Sequence, residues 1–398
     1  MRRCEGCGAP AKPIGEAMNS DFEYLIVGAG SMGSAAAYHL ARDGRSVLLL
    51  EQFAIGHFRG SSHGESRIMR LSYDHPTYVR LAQAAYGLWT ELEQDSGKAL
   101  MHHTGGLDLS APYNPTFEAC IASLSALHIS RELLTTDEIH RLFPAFRVAD
   151  KTIGLYQADA GILPASQCVR VLIERAIHYG TAVIENSPVR SIQLDDEAAN
   201  VQTDQATYHC RKLIICAGPW AGPLLETLGL TLPLTVTQEQ YAFFQTPAPE
   251  KFQPDRLPVF IHYGHPTGPQ RNDYYGFPIF GHAGVKVGEH HTGPIVTADT
   301  RTFEVDAVRL QRLSDYVRAT LPATRGEVLE AATCLYTNTP DQHFIIDRLP
   351  AHPHVVIAAG FSGHGFKFAI LVGRILADLA TQGNTPYPID LFALKRFA

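Results

Sequence analysis

The sequence of 398 residues predicts an α/β protein in which a parallel-sheet domain is built from both chain ends and an antiparallel-sheet domain is inserted between them. Three observations predict it. Residues 24–44 read as an apolar strand, a glycine-rich turn and a helix of small residues, and the same grammar returns at residues 354–380. The stretch from about 235 to 330 is instead strand-rich and dotted with aromatic residues, as in Tyr274-Tyr275-Gly276-Phe277.

Composition narrows the classes further. With 45% apolar and 18% charged residues the chain is too hydrophobic for disorder and long enough for two domains. Its net charge of −7 and scattered Lys and Arg give no basic stripe, so nucleic acid is not an expected partner. No membrane span is expected either, because the apolar run at 368–380 is broken by Arg374 and Asp378. Seven cysteines are thinly spread, and residues 1–20 lack the apolar core of a secretory signal, so a reducing, cytoplasmic setting is expected. Cys4 and Cys7 form a lone CxxC without two further ligands; residues 1–20 read as an N-terminal extension, and no metal centre is expected.

In chain order, the strand at 24–27 runs into Gly28-Ala29-Gly30-Ser31-Met32-Gly33, and the helix that follows stops at Gly44. Gly28 permits a tight turn, Gly30 lets the backbone approach a pyrophosphate, and Gly33 lets helix pack on strand. A second strand at 46–50 ends in Glu51, at the ~20-residue spacing where an acid receives ribose hydroxyls. This is a dinucleotide-binding fingerprint that does not separate NAD from FAD. The loop Gly60-Ser61-Ser62-His63-Gly64 comes next, then Arg67 and Arg70, which would share one face of a helical turn. Asp74 and Pro76 predict a helix start, with apolar residues at helical spacing to Gly97. A helix is expected at 167–179, a strand at 182–186, and a buried strand at 212–216 ending in Ala217-Gly218-Pro219-Trp220. A strand at 354–359 then leads into Gly360-Phe361-Ser362-Gly363-His364-Gly365 and a helix over 366–380. That second turn is no nucleophile elbow, because Gly363 follows Ser362 directly. Lys367 falls in the first helical turn, a poor place for a cation. By spacing alone, the two arginines read as solvated or ligand-binding, Lys286, His290 and Tyr275 as ordinary residues of the middle region, and Cys334 as a buried strand cysteine.

Five ordered blocks decide more: GAGSMG at 28–33, GSSHGESRIMR at 60–70, YYGFPIFG at 274–281 followed by Lys286, ATCLYTNTPDQHFIID at 332–347, and AAGFSGHGFKFA at 358–369. From about Asp21 onward the chain resembles the monomeric sarcosine oxidase family of flavoproteins, which includes N-methyltryptophan and pipecolate oxidases. The resemblance implies a Rossmann-type FAD-binding domain over 21–100, 165–233 and 335–398, and a substrate domain over 101–164 and 234–334. It implies FAD held covalently, as an 8α-cysteinyl thioether to Cys334, with Arg67 as the neighbour that lowers the thiol's pKa. Arg70 and Lys367 match the positions that grip a substrate carboxylate, and Lys286 matches a lysine that assists reaction with oxygen. Tyr275, His290 and Tyr336 match residues on the substrate side of the flavin, and His63 matches a histidine near the ring. Ser31, Met32, Ser62, Val189, Gly218, Ser362, Gly363, His364, Gly365 and Phe366 complete the implied cofactor contacts.

The implied reaction oxidises a secondary amino acid, most simply sarcosine, to an imine, with O2 reduced to hydrogen peroxide and hydrolysis to amine and aldehyde. The neutral amine is the reactive form, so activity should rise with pH. A monomer is expected. Leu71 stands where the sarcosine and methyltryptophan branches usually carry His after the second arginine, and the GSSH loop and LLLEQF strand resemble the pipecolate-like branch while YYGFPIFG followed by Lys286 resembles the sarcosine branch; L-pipecolate or another cyclic imino acid, or N-methyl-L-tryptophan, is the alternative substrate within the family. An NAD-dependent dehydrogenase is the alternative of a different class.

Overall fold

The computed structural model describes residues 21–264 and 272–397, so the N-terminal extension with Cys4 and Cys7 lies outside the described residues. Among the described residues, one sheet has eight strands. Its parallel centre runs Val355–Ala359, Thr207–Ile215, Asp21–Val27, Val47–Leu50, Ala182–Ile184. These strands read as continuous apolar runs because both faces are covered: Ile26, Leu49, Ile214 and Val356 pack in the core with the long helices, Leu25 and Leu48 in a second core with Ile192, Val201 and Leu225, and all six strand residues are fully buried. Ile345–Arg348 adds antiparallel to Val355–Ala359, so the sheet draws on both chain ends.

Helix Ser31–Arg42 is buried along almost its whole length, between Ala369–Gln382 and Ala165–His178. The first contact is close because Gly373 abuts the backbone of Ala35, where a Cβ would overlap. Helix Pro76–Ser96 packs on the same layer, and its buried Trp89 donates Nε1–H to Lys367 O at 2.9 Å, which fixes the second glycine turn.

Among the described residues the second sheet has nine strands and is mostly antiparallel. Thr235–Phe244 pairs along its length with Val328–Asn338 and on its other side with Val285–Glu289, followed outward by Tyr274–Ile279, Val259–His262 and Gly106–Ser110. Helix Ala307–Thr320 lies against it, with Tyr316 stacked on Tyr274 at 3.7 Å between ring centroids. A small sheet of Arg67–Met69, Gly161–Leu163 and His102–His103 completes the fold.

Four expectations are corrected. Arg67 and Arg70 do not share a helical face: Arg67 begins a strand and Arg70 follows it, so the pleat sends the two side chains to different partners. Helix Pro76–Ser96 is capped by His75, whose Nδ1 accepts from Thr77 N at 3.2 Å, rather than by Asp74. The predicted 366–380 helix opens as a 3₁₀ turn, Phe366–Phe368, before the α-helix Ala369–Gln382. The boundary expected between 334 and 335 cuts through the unbroken strand Val328–Asn338.

Candidate active site

A cavity of about 1300 Å³ runs between the two sheets. It exceeds the ~300–1,000 Å³ of ordinary small-molecule sites, and all the sequence-predicted site residues except Gly33 line it.

At one end the first glycine turn is built for close backbone approach. Gly28 has φ +98°, and a Cβ there would lie 2.5 Å from Cys216 O; a Cβ on Gly33 would overlap Gly28 O. Gly33 therefore packs beneath the turn, as its motif position requires. Helix Ser31–Arg42 starts at Gly30 without a cap from that residue's side chain, and Ser31 N donates instead to Ser62 Oγ at 3.0 Å. Glu51 accepts from Ala29 N at 2.9 Å and Phe53 N at 3.1 Å, locking the second strand's end to the turn. Met32, Val189 and Gly218 complete this wall. A Cβ-free turn, a helix N-terminus and an acid at the next strand end fit the diphosphate and ribose of FAD.

Midway along the cavity, Cys334 is buried in strand Val328–Asn338, in register with Glu239. Arg67 turns its guanidinium onto main-chain carbonyls, Ser66 O at 2.8 Å, Ser61 O at 3.0 Å and His63 O at 2.7 Å. Arg67, Lys286 and Arg301 pull the Cys334 thiol down, but burial is the larger effect and leaves it above its ordinary value. Arg67 is thus the neighbour that lowers the thiol, as expected, but burial outweighs it. Burial, reinforced by Arg67, pushes Lys286 down to about 7. Its Nζ donates to Ser66 Oγ at 3.2 Å and sits 4.3 Å and 5.1 Å from the ring centroids of Tyr241 and Phe277. Burial likewise holds His63 at about 4, so its neutral ring donates Nδ1–H to Gly60 O at 3.1 Å.

Beyond this point lie the predicted substrate groups. Arg70 Nη1 meets Asp108 Oδ2 at 2.6 Å, Ser72 Oγ at 2.8 Å and Tyr263 OH at 3.0 Å. Lys367 Nζ donates to Tyr73 OH at 2.7 Å and His364 O at 3.1 Å, and burial beside Arg70 holds it well below its ordinary pKa. The two basic groups share one ring, each 5.1 Å from the Tyr73 centroid. Burial also keeps His290 neutral, and its Nδ1 lies 3.1 Å from Tyr336 OH. Tyr275 stands edge-on to His290, at 6.4 Å between centroids.

In the second glycine turn Ser362 takes φ +46° and is fully buried, its hydroxyl accepting from Thr339 N at 3.2 Å. Gly363, at φ +77°, lets the turn press on the Tyr336 ring. His364 Nδ1 lies 3.3 Å from Tyr73 OH, and Gly365 and Phe366 border the cavity. Sequence reasoning missed Asp108, Ser66, Tyr73 and Tyr263, which partner the predicted cations. Among the described residues no cluster of His, Cys, Asp and Glu could hold a metal ion, and no helix is long and apolar enough to cross a membrane.

Comparison with known proteins agrees with this geometry. The family model described as FAD dependent oxidoreductase matches residues 23–379. The chain is 37% identical over 386 residues to a monomeric sarcosine oxidase of Streptomyces avermitilis, covering 96% of this chain and 99% of that one. It is 34% identical to the N-methyl-L-tryptophan oxidase of Escherichia coli, covering 94% and 99%. Among solved structures, NikD, an unusual amino acid oxidase essential for nikkomycin biosynthesis, superposes with a TM-score of 0.83 at 26% identity, covering 94% of this chain and 98% of that one.

Proposed function

The chain belongs to the FAD dependent oxidoreductase family, and from that premise we propose that it oxidises the CH–NH bond of N-methyl amino acids of the sarcosine type. The family match sets aside a dehydrogenase that uses soluble NAD. The observation that carries the substrate reading is the pair Arg70 and Lys367 around the Tyr73 ring, in the same cavity as Lys286 and Cys334.

FAD, held by the Gly28–Gly33 turn, Glu51 and the wall around Cys334, would supply the two-electron acceptor that links the substrate to dioxygen, with hydrogen peroxide as the reduced product. Arg70 and Lys367 hold the substrate carboxylate, which leaves the amine and its neighbouring C–H directed to the middle of the cavity. A carboxylate beside Lys367 restores the charge that burial suppresses, so anion and proton enter the site together. Neutral His290, fixed by Tyr336, gives an uncharged wall that leaves the reactive amine unprotonated. Loss of two electrons and two protons converts the substrate to an imine, which water splits to amine and aldehyde. Lys286 in its ammonium form would stabilise negative charge developing on oxygen beside it.

We assign the thioether to Cys334, because it is the cysteine on the wall that also carries Lys286 and Arg67. The five described cysteines are free, which supports a reducing, cytoplasmic setting, and the relatives named monomeric sarcosine oxidase support a monomer. The test is peroxide release by purified protein with sarcosine, N-methyl-L-tryptophan, L-pipecolate and proline. Release with sarcosine is expected; a preference for pipecolate would select the cyclic imino-acid reading, and release with none would refute the proposal.

A further inference from the structure

Arg70 is held from one side only. Its Nη1 faces three acceptors, Asp108, Ser72 and Tyr263, although it has only two protons to give. Its Nε is buried without a partner, and its Nη2 makes no hydrogen bond among the described residues. The Nε–Nη2 edge is a fork that a carboxylate takes with two parallel bonds. Asp108 lies behind this group. It sits mid-strand in Gly106–Ser110, 4% exposed, and does not line the main cavity; with Arg70, Ser72 and Gln157 it borders a separate small void. Ser72 is itself tied down, its N–H donating to Gln157 Oε1 at 2.9 Å.

We propose that Asp108 is a positioning residue that sets the carboxylate affinity of the site through Arg70. It fixes the guanidinium by Nη1, leaving the Nε–Nη2 edge for the ligand, and it offsets the arginine's charge. The inference rests on the reading that Arg70 docks the substrate carboxylate. Its logic lies in the product. Demethylation leaves an amino acid that still carries the same carboxylate, so a clamp of two uncompensated cations would hold product as firmly as substrate and gain nothing for the chemical step. A carboxylate behind one cation weakens both complexes and keeps the geometry.

The test uses the flavin-loaded enzyme and two unreactive carboxylates, acetate and methoxyacetate, with acetamide as the uncharged control, read by calorimetry and by the change in flavin absorbance. Asp108→Asn keeps an acceptor for Nη1 and removes the charge. Both carboxylates should bind at least tenfold more tightly to it, with acetamide unchanged, and Tyr263→Phe, which removes an acceptor but no charge, should show no gain. Unchanged or weaker carboxylate binding in Asp108→Asn overturns the inference, as does an equal gain for acetamide. If that variant does not load flavin, Asp108→Ser, which leaves room for water at Nη1, carries the same expectation. Arg70→Gln separates the two levels of argument. If it leaves carboxylate binding intact, the docking reading fails and the inference with it; if it weakens binding tenfold while Asp108→Asn shows no gain, only the inference fails.

Discussion

Replacing Lys286 with Met should stabilise the flavin-free chain, by an amount set by pH. Lys286 is 4% exposed, with Ser66 Oγ as its hydrogen-bond acceptor and aromatic rings around the ammonium. In the unfolded chain it titrates near 10.5, whereas in the fold burial and Arg67 bring it to about 7. Between these values the unfolded chain binds more protons, so this lysine's contribution to stability improves as pH rises through the window. Below pH 7 the full cost is present, roughly 5 kcal/mol for a shift of this size. Met keeps the length of the stem and forfeits about 1 kcal/mol of polar and cation–π contact. A net gain of roughly 4 kcal/mol is expected at pH 6, falling to nothing by pH 10. Urea unfolding of both proteins at pH 6, 8 and 10, followed by far-UV circular dichroism, measures it. A gain absent at pH 6, or one that does not shrink with pH, would refute the argument. In the flavin-loaded enzyme the same change should slow reoxidation by oxygen about 10²–10³-fold, the usual cost of removing one group that stabilises developing charge.

Three further outcomes follow from the site. Cys334→Ser should release flavin into the supernatant on acid precipitation; a pellet that stays yellow would place the attachment elsewhere. Lys367→Met removes one of the two cations beside Tyr73 and should raise KM for sarcosine about 30–150-fold, the equivalent of roughly 2–3 kcal/mol for a charge-assisted contact, as steady-state peroxide assays would show. Gly33→Ala places a methyl group on Gly28 O and should lower Tm and the flavin content together; an unaltered absorbance ratio would mean that the turn tolerates displacement.

What the sequence revealed and what it hid divide along chain distance. The turn at Gly28–Gly33 and its partner Glu51 are legible because a strand, a turn and a helix in succession need particular residues at fixed spacing. The resemblance brought Cys334, Lys286, Arg70 and Lys367 to one site, although nothing local distinguishes them. Their partners were hidden. Asp108 lies on a strand paired with Val259–His262 and Ile153–Gln157, and Ser66, in the loop before Arg67–Met69, meets Lys286 from 220 residues away in sequence, so neither contact leaves a periodicity to read. The helical reading of Arg67 and Arg70 failed because three-residue spacing fits a helix face as well as it fits the end of a short strand, and pairing with Gly161–Leu163 decides for the strand. The cap at His75 was missed because Asp is the commoner capping residue and stands next to it in sequence.

The strand Val328–Asn338 starts exposed at the rim of the antiparallel sheet and becomes buried at Thr333, one residue before Cys334. The Gly28–Gly33 turn, proposed to cradle the diphosphate, belongs to the other sheet. A flavin bonded to Cys334 at one end and seated on the Gly28–Gly33 turn at the other would act as a rivet between the two sheets. Hinge motion of one against the other would then strain a covalent bond, and the work of admitting substrate and releasing product would fall to side chains and loops around the Arg70 end.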